Sequence, residues 1–146
     1  MRGYAVVALD RPKTRENIGS VLRACHCFRS AGVVVYGARY HPACTDTTAA
    51  WRHMPLVHVE DLRAAIPYDC VPVAVEITEG AVSLEGYAHP ERAFYVFGPE
   101  DGSVRAEVLA WCRDVVRIPT AHCLNLAAAV NVVLYDRVAK QRMMTP

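Results

Sequence analysis

Apolar positions along this chain alternate between short runs of period two or none and stretches of period three to four, which predicts strands separated by helices. Gly3 to Leu9 is a β-rich apolar run closed by Asp10, Arg11 and Pro12, and reads as a first buried strand. Beyond that turn, Asn17 precedes a helical pattern with Ile18, Val21, Leu22, Cys25 and Phe28 on one stripe. Gly19, Arg23, His26 and Ser30 fall on the neighbouring face, so Arg23 is displayed beside a small residue. Gly32 is placed to close the helix, and Val33 to Tyr36 reads as a second strand. Strand, helix and strand within about 35 residues form the unit of a parallel sheet.

Residues 37–58 read as a loop with one short helix. Val59 to Ile66 is expected to be a short amphipathic helix ended by Pro67, and Val71 to Ile77 a third strand broken early by Pro72. Ser83 to Pro90 is loop or brief helix. Phe94 to Phe97 reads as a fourth strand, Val104 to Cys112 as a helix, and Val115 to Ile118 as a fifth strand. The closing helix is expected from about Leu124 to Arg142. Its first half is small or apolar on nearly every face, the mark of a buried helix. A chain of 146 residues has few faces deep enough to cover such a helix, and a partner subunit is a natural way to do it. Asn125 stands where the turn becomes that helix, and either caps free backbone N–H groups or places an amide in a pocket.

In an open parallel sheet, ligands bind at the carboxyl ends of the strands. Those ends carry Thr78, Glu79 and Gly80, then Gly98 to Gly102, then Pro119 to Cys123. None contains the glycine and lysine spacing of a nucleotide triphosphate loop, the dinucleotide fingerprint or a serine nucleophile elbow. Cys123 has no evident histidine partner for covalent catalysis.

Composition narrows the class. Hydrophobic residues make up 53% of the chain and charged residues 21%, as in a single folded domain. No signal-peptide core precedes the first strand and no run reaches the roughly 18 apolar residues of a membrane helix, so a cytoplasmic, membrane-free protein is expected. The six cysteines are scattered singly and read as free thiols, mostly small buried hydrophobes. On a helix Cys25 and Cys27 point about 200° apart, which removes a metal site there. The net charge of +1 conceals basic ends and an acidic middle, and the ends could meet as a modest phosphate-binding surface.

Three segments read together. Asn17-Ile18-Gly19-Ser20-Val21-Leu22-Arg23 resembles the N-x-G-x-x-x-R first motif of the SpoU/TrmH family of SPOUT RNA methyltransferases. Phe97-Gly98-Pro99-Glu100-Asp101-Gly102 is similar to the second motif, an apolar strand followed by G-P-E-x-x-G. Ile118-Pro119 through Cys123-Leu124-Asn125-Leu126 to Leu134-Tyr135-Asp136 is similar to the third. The resemblance implies a parallel-sheet α/β fold with a deep C-terminal trefoil knot, a homodimer, S-adenosylmethionine bound in the knot, and no metal. The implied reaction is methyl transfer to a ribose 2′-hydroxyl.

By the same resemblance Arg23 is placed at that hydroxyl and an adjacent phosphate, as proton acceptor or as stabiliser of phosphate and transition state. Asn17 is expected to position Arg23 or the ribose, Glu100 to organise the active-site loops and contact Asn17 or the substrate, and Asn125 to orient the substrate or the carboxyl end of the cofactor. Backbone atoms around Glu76, Gly98, Ile118, Cys123 and Leu126 match the adenosyl-binding positions. Cys123 departs from the family, which has Ser there, and a thiol is the weaker donor. The chain resembles the minimal, TrmL-like members, a single domain over 1–146 without a separate RNA-binding extension. Such a dimer is expected to bind RNA itself, through Arg11, Lys13, Arg15, Arg137, Lys140 and Arg142. The implied substrate is tRNA, with the wobble nucleotide as target. The alternatives are ribosomal RNA, or a non-catalytic dimer that binds cofactor and RNA.

Overall fold

A computed structural model describes residues 3–39 and 52–144. In chain order the elements are β1 (Tyr4–Asp10), α1 (Arg15–Cys27), β2 (Gly32–Tyr36), β3 (Leu56–Val59), β4 (Val71–Val75) and β5 (Val82–Ser83). A single 3-10 turn (Leu84–Gly86), β6 (Arg92–Phe97), α2 (Ala106–Trp111), β7 (Asp114–Arg117) and α3 (Leu126–Met143) complete them. Among the described residues the seven strands form one parallel sheet in the order β3-β2-β1-β6-β4-β7-β5.

Strands apolar at every position need cover on both faces, and the period of two decides what covers each. Ala5, Val7 and Leu9 of β1 join Ala93, Tyr95 and Phe97 of β6 under α1 and α3. Val6 and Ala8 join Phe94 and Val96 on the other face, under Val104 and Val108 around α2 and Leu62 of a preceding loop. Each Val, Leu or Phe among them, fully buried, contributes about 1.5–3 kcal/mol.

Local chemistry moves several expected boundaries. The N-cap of α1 is Thr14, whose hydroxyl accepts from Asn17 N at 3.4 Å, so Asn17 lies inside the first turn with its amide free. Gly32 does not close α1. The left-handed residue after it is Arg29 (φ 55), with Arg29 N donating to His26 O and Ser30 N to Cys25 O. Ser30, expected on an exposed flank, is buried and donates to Ala5 O at 3.0 Å.

Val59 to Ile66 is not a helix. Leu56–Val59 pairs with β2, and the residues beyond form turns, with Ala65 N donating to Leu62 O and Ile66 N to Arg63 O. The amphipathic signal there came from buried Leu62 and half-buried Ile66, too few residues before Pro67 to sustain a helix. Of residues 37–58, where a loop with one short helix is expected, 40–51 lie outside those described, and β3 (Leu56–Val59) begins at the segment's end. Pro72 does not break β4. Its carbonyl accepts from Arg113 N at 2.9 Å, and its missing N–H would face the same side, where β7 has not yet begun.

The closing helix is not buried all round within one chain. Leu126, Ala127, Val130, Val133, Leu134, Arg137 and Val138 are buried, while Val132 and Tyr135 are exposed. Arg137 and Lys140 do not belong to a nucleic-acid surface. Arg137 is buried and donates to Pro90 O and Glu91 O, each at 2.6 Å, and Lys140 Nζ donates to Leu84 O, Tyr87 O and Asp136. Together they fasten the 84–91 strap to α3.

That strap contains a histidine with a defined tautomer. Arg137 Nη1 donates to the Tyr95 hydroxyl at 3.2 Å, which directs the hydroxyl proton to His89 Nδ1 at 2.6 Å. His89 Nε2 then carries the ring proton and donates to Asp136 at 2.8 Å. Burial lowers the His89 pKa below 6.5, opposed by Asp136 and aided by Arg137 and Lys140. A histidine depressed in the folded state is protonated first in the unfolded chain, so stability is intact above about pH 6.5 and falls as pH drops below it. Urea unfolding should show stability falling as pH drops below 6.5, with this one group contributing no more than ~1.4 kcal/mol per pH unit at the steepest point. His89→Gln should lower stability at neutral pH and lose this contribution to the slope; an unchanged slope would dissociate it from His89.

Candidate active site

The carboxyl ends of β4, β6 and β7 and the start of α3 enclose a cavity of about 340 Å³. Its walls include Val75, Glu76 and Ile77 after β4, the loop 98–102 after β6, Ile118 and Thr120 after β7, and Cys123, Leu126 and Ala129 at α3. All five residues expected around an adenosyl group, Glu76, Gly98, Ile118, Cys123 and Leu126, therefore face one space. Thr78, Glu79 and Gly80, the first loop expected at a pocket, are not among its walls.

The rim is braced from within. Glu76 accepts from Ile77 N at 2.9 Å and from Val104 N at 2.8 Å, so its carboxylate ties the end of β4 to the loop before α2. Gly98 runs so close to that loop that an added Cβ would lie 2.7 Å from Val104 N and 2.9 Å from Ser103 C. Both neighbours are backbone, and only glycine fits without moving them.

Beside the cavity, one residue from each motif joins a single hydrogen-bonded chain. Asn125 caps α3, its Oδ1 accepting from Ala127 N at 2.9 Å and Ala128 N at 3.4 Å. Its amide nitrogen must then be the outward donor, and it meets Asn17 Oδ1 at 3.0 Å. Asn17 Nδ2 is thereby turned to Glu100 Oε1, at 2.7 Å. Lys13 N at 2.8 Å and Thr14 N at 3.4 Å complete the shell of Glu100. Partial burial works against its charge, but the hydrogen bonds from its own backbone, Lys13, Asn17 and Thr14 prevail and lower its pKa. Removing the middle of this chain with Asn17→Ala should cost about 2 kcal/mol in urea unfolding, since one of its two side-chain bonds goes to a carboxylate. A loss below about 0.5 kcal/mol would show that the chain is not held together through Asn17.

Arg23 stands apart. It is exposed on α1, lies outside the cavity wall, and makes no hydrogen bond or ion pair among the described residues. Six residues of helix place it about 9 Å along the axis from Asn17 and about 120° around it.

The thiols divide by burial. Cys25 and Cys70 are buried and Cys112 half-buried, with burial pushing Cys25 and Cys112 up to about 12. Cys27, expected to be buried, is exposed on the outer face of α1, and Cys123 is exposed at the cavity. Among the described residues no group of three or more His, Cys, Asp or Glu side chains could hold a metal, and no helix is long and apolar enough to cross a membrane. Sequence reasoning missed the ion pair of Arg39 with Asp101 and that of Arg105 with buried Asp10, whose partners lie 62 and 95 residues apart.

A model of the SpoU rRNA Methylase family matches residues 4–135. The chain belongs to this family. An uncharacterized tRNA/rRNA methyltransferase of Mycobacterium ulcerans is 26% identical over 151 residues, covering 94% of this chain and 47% of the relative. The chain thus spans about half the length of the curated relatives it matches. The SpoU methyltransferase AviRb from Streptomyces viridochromogenes superposes with a TM-score of 0.81 at 23% identity, over 99% of this chain and 62% of its own. AviRb has also been crystallised with AdoMet. A protein whose structure concerns 2-OH methylation of C/U34 on tRNA gives a TM-score of 0.84 at 23% identity, covering 97% of this chain and 98% of that one. At these identities the likeness to solved SpoU-family structures is one of fold.

Proposed function

We propose that this SpoU-family chain is an S-adenosylmethionine-dependent RNA methyltransferase that modifies a ribose 2′-hydroxyl, with tRNA as its substrate. The observation that carries the reading is the convergence of Asn17, Glu100 and Asn125, one from each motif, beside a cavity lined by all five expected cofactor positions. The cavity fits the group: Val75, Phe97, Ile118 and Leu126 would supply apolar walls for an adenosyl moiety, and Glu100 in the same wall would offer negative charge to its cationic end. When bound, S-adenosylmethionine supplies an electrophilic methyl group.

The chain's own residues have the remaining tasks. A 2′-hydroxyl is a poor nucleophile, and its orientation and proton loss must be assisted. Glu100 and Asn125 hold Asn17 at the head of α1, and α1 presents Arg23 to solvent as a cation without a partner among the described residues. A guanidinium is a permanent cation and a poor proton acceptor, so Arg23 acts best by holding a phosphate and stabilising charge as the hydroxyl proton passes to solvent. Arg11, Lys13, Arg15 and Arg142 remain as candidate phosphate contacts.

The trefoil knot, the homodimer and cytoplasmic residence belong to the same proposal. Val132 and Tyr135 on α3, exposed in the single chain, support the dimer. The tRNA assignment draws on the fold likeness to the C/U34 protein, which extends over nearly all of both chains. The test is incubation of purified protein with labelled S-adenosylmethionine and separate tRNA and ribosomal RNA pools. Label in tRNA is expected; label only in ribosomal RNA would move the substrate to that class. Cofactor binding without transfer to either would favour the non-catalytic reading.

A further inference from the structure

The cavity mouth carries an ion pair that lies partly outside the three motifs. Asp101 lines the cavity next to Glu100, and Arg39, just beyond β2, meets it with both terminal nitrogens. Nη1 donates to Oδ2 at 3.1 Å and Nη2 to Oδ1 at 2.5 Å. The guanidinium is already oriented when it does so. Its Nε donates to Arg11 O at 3.2 Å, and Arg39 N donates to Pro12 O at 3.0 Å, fixing it on the turn between β1 and α1. Lys13 Nζ, on the same turn, stands 3.8 Å from Asp101. The hydrogen bond from Arg39, outweighing slight desolvation and assisted by its charge, holds the Asp101 carboxyl at about 2.

Two connections therefore join the loop 98–102 to the β1–α1 turn. One is Glu100 with its backbone donors and Asn17. The other is a planar, two-bond ion pair whose members are each 42% exposed. Bidentate geometry on a pre-oriented fork gives this pair directional strength, and its exposure makes it sensitive to salt.

We infer that Arg39 and Asp101 are positioning residues: an ionic latch that holds the loop 98–102 against the β1–α1 turn and so sets the mouth of the cavity for its ligand. The inference rests on the cavity's reading as the S-adenosylmethionine site. It makes cofactor affinity depend on a charge pair whose arginine lies outside the cavity wall.

The experiment is calorimetric titration of S-adenosylmethionine into the full chain at about 0.05 M and about 0.5 M NaCl. At low salt Asp101→Asn and Arg39→Gln should each weaken binding about three- to fivefold, the upper range for an exposed pair. Asp101→Glu, and the exchange Arg39→Asp with Asp101→Arg, should recover most of that loss, and high salt should bring the wild type toward the neutral variants. A merely structural defect would respond to neither carboxylate restoration nor salt. Equal affinity of wild type and Asp101→Asn at low salt overturns the latch. So does a deficit that neither Asp101→Glu nor the exchange relieves and that salt leaves in place. Absence of binding by the wild type itself overturns the cofactor reading and takes the latch with it.

Discussion

Arg23→Ala should lower methyl transfer by at least about a hundredfold, the scale of losing one preorganised charge-stabilising donor, while S-adenosylmethionine affinity stays within about twofold. The separation follows from position. Arg23 is exposed on α1 with no described partner and outside the cavity wall, so its removal breaks nothing that shapes the cofactor site. Single-turnover rates and calorimetric affinity, measured on the same preparation, check both halves. Arg23→Lys separates two ways in which the residue could hold a phosphate. If a point charge near phosphate suffices, lysine should restore much of the rate; if a planar fork on phosphate is required, it should restore little. Full activity in Arg23→Ala would remove the residue from the mechanism.

Gly98→Ala should have the larger effect on binding. A methyl group at this position would stand 2.7 Å from Val104 N and 2.9 Å from Ser103 C, too close for either backbone atom to remain in place. Val104 N is also the donor held by Glu76 at 2.8 Å. Relief of the clash must therefore move the loop, strain that bond, or shift the end of β6, each of which deforms the cavity. A stability cost of about 1–3 kcal/mol is expected from the overpacking, with affinity for S-adenosylmethionine reduced about tenfold or more. Urea unfolding and calorimetric titration read the two separately. Wild-type affinity in a folded Gly98→Ala protein would show that the loop 98–104 does not form the ligand wall.

Much of the sheet was legible because most of its strands have continuous apolar centres bounded by Pro, Gly or charge. β1, β2, β6 and β7 lie close to where that pattern put them. β3 was not legible: four residues of mixed polarity that extend an edge look, in sequence, like the start of the amphipathic turn that follows. Pro72 misled for a related reason, since its cost depends on which neighbour its absent N–H would face.

At the site, motif resemblance located Asn17, Glu100 and Asn125 and implied the contact of Glu100 with Asn17, while the link from Asn17 to Asn125 came only from the fold. Asn125 caps the helix through its amide oxygen, while its nitrogen meets Asn17 instead of lining the cavity. Charge counting failed at Arg137 and Lys140, which serve buried carbonyl groups rather than a surface. A sequence tally of basic residues has no term for burial. It likewise could not pair Arg39 with Asp101, whose meeting is set by the register of β1 between β2 and β6.

The central claim is the ribose 2′-hydroxyl as methyl acceptor, and the nucleoside composition of labelled RNA tests it most directly. tRNA methylated by the purified protein is digested to nucleosides and resolved by mass spectrometry. The account predicts that the added methyl appears in a 2′-O-methylnucleoside, and that Arg23→Ala yields almost none. A methyl found on a base, or in no RNA at all, would contradict it.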